Sequence, residues 1–158
     1  MRRDANIRFA TLEDAEAIAI ESMAEIEHDL EWRWGPARVA KSIVDPETNV
    51  VVVDDNDVVL GFGIMKYEED VAHLLLFAIR EDVRRHGLGS ALLAWLEHVA
   101  QVAGICRLVV EARNDNVGAR AFYRTQGYRE LETVPRMYYG QVDGVRLEKI
   151  IRAAGEES

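Results

Sequence analysis

The segment Val83-Arg84-Arg85-His86-Gly87-Leu88-Gly89-Ser90-Ala91-Leu92-Leu93 links an apolar run, His73 to Ile79, to an apolar-periodic helix, and its residue types suit phosphate binding. Gly87 and Gly89 carry no Cβ, so the backbone can turn tightly there and come close to a bound group. The first amides of the following helix lack intrahelical partners and lie at the positive end of its dipole. With the Arg84 and Arg85 guanidiniums beside them, they make an anion seat suited to a phosphate-bearing cofactor. Three phosphate turns compete for this segment. A dinucleotide fingerprint needs a third glycine, where Gly87-x-Gly89-x-x-Leu92 has leucine. A nucleoside triphosphate loop needs a terminal Gly-Lys-Ser/Thr, which is missing. The third pattern, Arg/Gln-x-x-Gly-x-Gly/Ala, is met by Arg84-Arg85-His86-Gly87-Leu88-Gly89. A helix N-terminus with a solvated basic turn is the plain alternative.

A second segment, Arg107 to Tyr128, reads as a strand, a polar turn and a short helix closed by Gly127. It contains Asn116-x-x-Ala119-x-x-x-Tyr123-x-x-x-Gly127-Tyr128. In this order the two patterns resemble the two signatures of the GNAT superfamily of N-acetyltransferases, the first being its acetyl-CoA pyrophosphate loop. The resemblance is nearest to the ribosomal-protein-alanine, or N-terminal amine, type. There a Leu-Glu-Val-Arg-like strand end, Asn-x-x-Ala-x-x-x-Tyr and Arg-x-x-Tyr-Tyr follow one another. Here they correspond to Val110-Glu111-Ala112-Arg113, Asn116 to Tyr123, and Arg136-Met137-Tyr138-Tyr139. The likeness spans roughly residues 7 to 150. After Tyr139 it departs: Asp143-Gly144-Val145-Arg146-Leu147-Glu148 stands where that type carries an acidic Glu-Asp-Ala run. The departure bears on the peptide substrate more than on the chemistry.

The resemblance implies an α/β (α+β) acyl-CoA N-acyltransferase fold, with a mixed, mostly antiparallel sheet of six or seven strands flanked by about four helices. Chain length itself implies one domain over residues 1–158, with a core over about 7–151 and a disordered tail, 152–158. The fourth and fifth strands splay apart to take the pantetheine arm of acetyl-CoA, with main-chain groups of Phe77, Ala78 and Ile79 along it. Arg84, Arg85, His86, Gly87, Leu88, Gly89 and Ser90 hold the pyrophosphate, and Asn116 and Tyr123 also meet the coenzyme. Trp32 and Trp34 fall where the family builds a wall of its acceptor groove, and Tyr138 and Tyr139 join the acceptor side. The implied reaction is direct transfer of acetyl to a primary amine, foremost a protein or peptide N-terminus. A small amine (polyamine, amino acid or aminoglycoside) is the alternative acceptor. A non-catalytic acyl-CoA-binding sensor on the same fold is an alternative of another class.

Acetyl transfer needs a neutral amine, and an α-amino group titrates at roughly 7.7–8.0, so a base helps, directly or through water. The developing oxyanion wants preplaced N–H donors, and the departing thiolate wants an acid. The resemblance puts Glu111 and Tyr123 beside the thioester, as base and acid. Glu111 otherwise reads as a solvent-facing strand carboxylate or a partner of Arg113, and Tyr123 as an amphipathic tyrosine at the core edge. His73, Glu68 and Glu69 are alternative bases, which as structural residues are a strand-end histidine and a solvated acidic turn. Cys106 lacks a companion base and reads as packing. Packing of the two-helix segment accounts for Trp32 and Trp34 almost as well as a groove does.

The elements that position these residues follow from periodicity. Ile7 to Phe9 is a short strand, and Thr11-x-x-Asp14 opens a helix whose apolar positions run from Leu12 to Ile26. A short helix begins near Pro36, and strands Val50 to Val53 and Val58 to Met65 meet at the polar turn Asp54 to Asp57. Leu92, Leu93, Leu96, Val99, Ala100 and Ala103 share a helix face closed by Gly104. Two further strands lie around Arg136 to Tyr139 and Val145 to Ile151.

A chain of 158 residues can bury a full core without staples. Its single cysteine excludes an intramolecular disulfide and a cysteine-built metal site; no metal is expected, and a reducing cytoplasm suits it. No apolar run reaches membrane-spanning length, and no apolar signal core follows Met1-Arg2-Arg3. The net charge of −9 argues against nucleic acid and favours approach of a cationic amine. A homodimer is admitted, but no residue pattern fixes the oligomeric state.

Overall fold

Asn56 and Asp57 adopt φ of 50° and 68°, the left-handed geometry that a two-residue primed hairpin loop demands and that Asn and Asp tolerate best after glycine. The turn expected over 54–57 is therefore tighter, with Asp54 and Asp55 still paired in the strand, opposite Val59 and Val58. The computed structural model describes residues 5–151; the expected tail, 152–158, lies outside the described residues.

Among the described residues, seven strands and four α-helices follow one another: β1 (Ala5–Phe9), α1 (Ala15–Glu25), α2 (Pro36–Val44), β2 (Thr48–Asp55), β3 (Val58–Glu68), β4 (Val71–Ile79), α3 (Leu88–Val102), β5 (Arg107–Arg113), α4 (Val117–Thr125), β6 (Arg129–Tyr138) and β7 (Val142–Ile150). The strand order is β1-β2-β3-β4-β5-β7-β6. The chain falls into two compact units, and β4 contributes its C-terminal half to the first and its N-terminal half to the second.

In the first unit, β1, β2 and β3 are antiparallel neighbours, with a bulge at Val53/Asp54. Alternate residues of a strand share a face, so Val50 and Val52, Phe62 and Ile64, and Leu76 and Ala78 turn one way. They bury Ile18 and Ala19 of α1, Val39 of α2 and Trp34 in one cluster. The helix expected from Leu12 opens with a single 3₁₀ turn, Leu12–Asp14, and becomes α-helical only at Ala15. The Asp14 carboxylate accepts the Thr11 amide at 2.7 Å and an Arg8 hydrogen bond at 2.8 Å. Together these hold its carboxyl below the usual carboxylate range despite burial.

In the second unit, residues Val71–Leu74 of β4 run parallel to Arg107–Val110 of β5. β5 is antiparallel to β7 along its whole length, Arg107↔Ile150 to Arg113↔Gly144, and β7 is antiparallel to β6. Buried Glu148 ties the three strands together, accepting from Arg107 at 2.5 Å and from Arg129 at 3.0 Å. The strand expected around Arg136 to Tyr139 is the far end of β6, which starts at Arg129. Its polar and charged residues hide it from a hydrophobic-pattern reading. Among the described residues no helix is long and apolar enough to cross a membrane.

Candidate active site

The basic turn is built by its two apolar ends. Val83 and Leu88 are both buried, and the four residues between them are exposed. Arg85 at φ 68° and Gly87 at φ 80° take the two left-handed positions that bring the chain round into α3. A Cβ at Gly87 would meet nothing within 4 Å, so glycine serves the backbone angle there and not space. The helical ladder of α3 starts with the Ala91 amide on the Gly87 carbonyl at 3.1 Å. The amides of Leu88, Gly89 and Ser90 precede it, and these are the donors that a helix cannot satisfy from within.

The two arginines differ. Arg84 donates from Nε to the Ile79 carbonyl at 3.0 Å and pairs with Glu25 of α1, so its side chain braces the end of β4. Arg85 and His86 are exposed. Within the same unit, Ala78 and Ile79 are buried and Phe77 is half-buried. Gly61 of β3 lies beneath them: a Cβ there would fall 2.8 Å from the Ala78 carbonyl oxygen and 2.4 Å from Ile79 Cδ1. Sequence reasoning missed this glycine; the signal was the alternating Gly61-Phe62-Gly63 inside an apolar strand.

Trp34 is buried in the core cluster with the Arg38 guanidinium 3.9 Å over its ring, whereas Trp32 is exposed. What holds their loop is Glu27, which sequence reasoning also missed. Fully buried, it accepts from Ser22 Oγ at 2.8 Å, the Arg33 amide at 2.9 Å and the Trp34 amide at 3.2 Å.

In the second unit the register fixes the surroundings of Glu111. It lies opposite Arg146 of β7, and Arg146 lies opposite Glu132 of β6. Arg146 reaches both carboxylates, Glu111 Oε2 at 3.2 Å and Glu132 Oε1 at 2.6 Å. The cation facing Glu111 is thus a cross-strand partner, and Arg113, the partner considered from sequence, grips Asp115 through two bonds of 3.0 Å. Glu111 Oε1 takes no part in the Arg146 pair. His73 pairs with Val109 and so shares a face with Glu111, two residues along. Glu68 ends β3, and Glu69 sits in the exposed turn after it at φ 56°.

Tyr123 of α4 is buried, with Phe122 and Tyr128 edge-on at 5.5 and 5.7 Å. Burial, and then Tyr138, push its phenol above the ordinary tyrosine value. Tyr138 is raised too, chiefly by burial and then by the Glu111 charge. Glu111, Tyr138 and Tyr123 thus form an electrostatically linked set.

The end of β6 delivers Tyr138 irregularly. Arg136, Tyr139 and Gly140 have positive φ, Asp143 Oδ1 accepts the Arg136 amide at 2.9 Å, and Gly144 leaves room for Met137. Asn116 caps α4, its Oδ1 accepting the Ala119 amide at 3.0 Å. Cys106 is exposed at the edge of β5.

Residues 9–128 match the model of the acetyltransferase (GNAT) family. The chain is 37% identical over 98 residues to a ribosomal protein bS18-alanine N-acetyltransferase of Escherichia coli, a match covering 62% of this chain and 65% of that one. The chain therefore spans just under two thirds of that relative's length. In structure it is similar to Ard1 from Thermoplasma volcanium, with a TM-score of 0.83 at 22% identity over 94% of this chain and 98% of that one. It is also similar to the ribosomal-protein-S18-alanine N-acetyltransferase from Escherichia coli, with a TM-score of 0.78 at 25% identity over 98% of both. With a family match over three quarters of its length, and the seven-stranded fold beneath it, the chain belongs to the GNAT family of acetyltransferases.

Proposed function

We propose that the protein is an acetyl-CoA-dependent N-acetyltransferase acting on a peptide or protein N-terminal amine. The observation that carries the reading is the basic turn: two backbone reversals, at Arg85 and Gly87, lead straight into the first turn of α3, whose leading amides a helix cannot satisfy from within. A pyrophosphate of the coenzyme is the ligand that such a seat fits. In this reading main-chain groups of Phe77 to Ile79 serve the pantetheine arm, and Asn116 and Tyr123 are further proposed coenzyme contacts.

Glu111 is the proposed base. It is half-buried, and Arg146 engages only one of its oxygens, which leaves Oε1 to take the amine proton, directly or through water. Tyr123 is the proposed donor to the departing sulfur. Its phenol stays protonated at any ordinary pH because burial raises it. A thiol of the cysteine kind titrates near 8.5, so a phenol raised above 10 stabilises the thiolate mainly by hydrogen bonding, and solvent completes the proton transfer. Exposed Trp32, with Tyr138 and Tyr139, supplies the acceptor contacts.

The reading is tested by incubating the chain with acetyl-CoA and peptides starting with alanine, with thiol release and the acetylated position by mass spectrometry as readouts. Acetyl on the α-amine, with rates that change when the second and third residues change, is the expected result. Turnover only with small amines would move the acceptor to that class. Coenzyme binding without turnover on any amine would support the sensor reading instead.

A further inference from the structure

Beside the C-terminal half of α1 lies a cleft of about 510 Å³ lined by Ile20, Glu21, Glu25, Arg80, Glu81 and Asp82. Four of these residues are carboxylates and one is a cation. Arg80 is engaged with Asp82 through bonds of 3.1 and 2.6 Å, and Glu25 with Arg84 and, at 3.4 Å, the Glu81 amide. Glu21 is different. Its residue is only 8% exposed, and its Oε1 is buried without a hydrogen-bond partner.

A desolvated carboxylate oxygen with nothing to accept from carries a large cost, which a cation bearing N–H donors would remove. Two further features favour positive charge. Glu21 and Glu25 are one helical turn apart on α1, a like-charge spacing that destabilises a helix. The helix end beside them is its negative pole. Burial pushes the Glu21 carboxyl up to about 8; Glu25 and Asp82 add to this and Arg80 opposes it.

We propose that this cleft binds an organic cation, a primary ammonium or guanidinium on an alkyl stem, seated against the Glu21 and Glu25 carboxylates. Ile20 and Ala24 supply an apolar wall for the stem. A metal ion fits less well: among the described residues no group of three carboxylate, histidine or cysteine side chains is set to hold one. None of the cleft residues is among those assigned to the coenzyme, base or acid. The site is therefore separate from the residues assigned to the transfer itself, and the cation it takes is either the basic side chain of an acceptor or a free small amine.

The test is a titration of the ¹⁵N-labelled full chain with n-butylammonium chloride against sodium chloride at matched ionic strength. Saturating shifts are expected at the amides of residues 20–25 and 80–82, with affinity rising as the pH goes from 6.5 to 8.5 and Glu21 ionises. Glu21→Gln should weaken binding at least about tenfold, which is about 1.4 kcal/mol. Glu81→Gln, an exposed change, should weaken it about twofold and covers the case of a poorly folded Glu21 variant. Shifts no different from those in sodium chloride, or binding that neither variant changes, would overturn the proposal.

Displacement of the probe by Ala-Ala-Lys amide but not by its norleucine analogue identifies an acceptor side chain as the source. Displacement by neither identifies a free amine. Probe binding is read without turnover, so this inference and the acetyltransferase reading can fail separately.

Discussion

Replacing Glu21 with glutamine should make the protein more stable at neutral and alkaline pH, and by an amount that grows with pH. Glu21 holds its proton longer in the folded chain than in the unfolded one, because burial moves it from an ordinary 4.5 to about 8. The folded state therefore binds the extra proton between those values, and the Glu21 contribution to stability is lost as pH rises through that window. At about 1.36 kcal/mol per pH unit, the interval sets a ceiling of about 5 kcal/mol. The cleft beside Glu21 admits water, which screens the charge, so about 2 kcal/mol is the expected effect. Glutamine keeps the shape and never ionises, so the variant and the parent should match near pH 5 and diverge by about 2 kcal/mol near pH 8.5. Urea unfolding at half-unit pH steps, with the slope checked for constancy, measures this directly. Parallel stability profiles across pH 5 to 8.5 would show that Glu21 ionises normally in the folded chain, and the desolvation argument would fall with them.

Other outcomes follow from single contacts. Gly61→Ala should cost about 1–3 kcal/mol, because the Ala78 carbonyl oxygen 2.8 Å from the new Cβ is backbone and cannot rotate away; urea unfolding measures this, and calorimetry should show weaker acetyl-CoA binding. Tyr123→Phe removes the only proton that the ring can donate and should lower kcat roughly 10²-fold with coenzyme affinity nearly unchanged, whereas kcat within about threefold of the parent would move the donor role to water or another residue. Glu111→Gln should lower kcat/KM most at pH 6 and least near pH 9.5, where the free amine is plentiful; a ratio flat across that range would favour His73 or Glu69 as base. Arg146 keeps Glu132 at 2.6 Å in that variant, so its stability should change by about 1 kcal/mol or less.

The fold was legible wherever hydrophobic periodicity met turn chemistry. The runs at Val50 to Val53 and Val58 to Met65, with Asn56 and Asp57 between them, declare a hairpin, and Leu92, Leu93 and Leu96 declare the buried face of α3. β6 was not legible beyond its last residues, because six of its ten positions are charged, polar or proline and it pairs with β7 through two register shifts. The basic turn was legible because its residues are contiguous. The surroundings of Glu111 were not: Arg146 lies 35 positions away and reaches it only through the β5–β7 register. A one-residue slip in that register would have turned Arg146 to the other face.

The same distinction separates the two arginines of the turn, which composition treats as equals. Arg84 follows an extended backbone, donates to the Ile79 carbonyl and holds Glu25, contacts that fix where β4 ends and the turn begins. Arg85 occupies a left-handed position that few side chains adopt, and it is exposed there. Backbone strain of this kind persists only where the surrounding structure imposes it, and here buried Val83 and Leu88 pin both ends of the turn. The turn is therefore shaped mainly by backbone: Arg84 braces the end of the strand, and the apolar pins Val83 and Leu88 set the reversal that leads into α3.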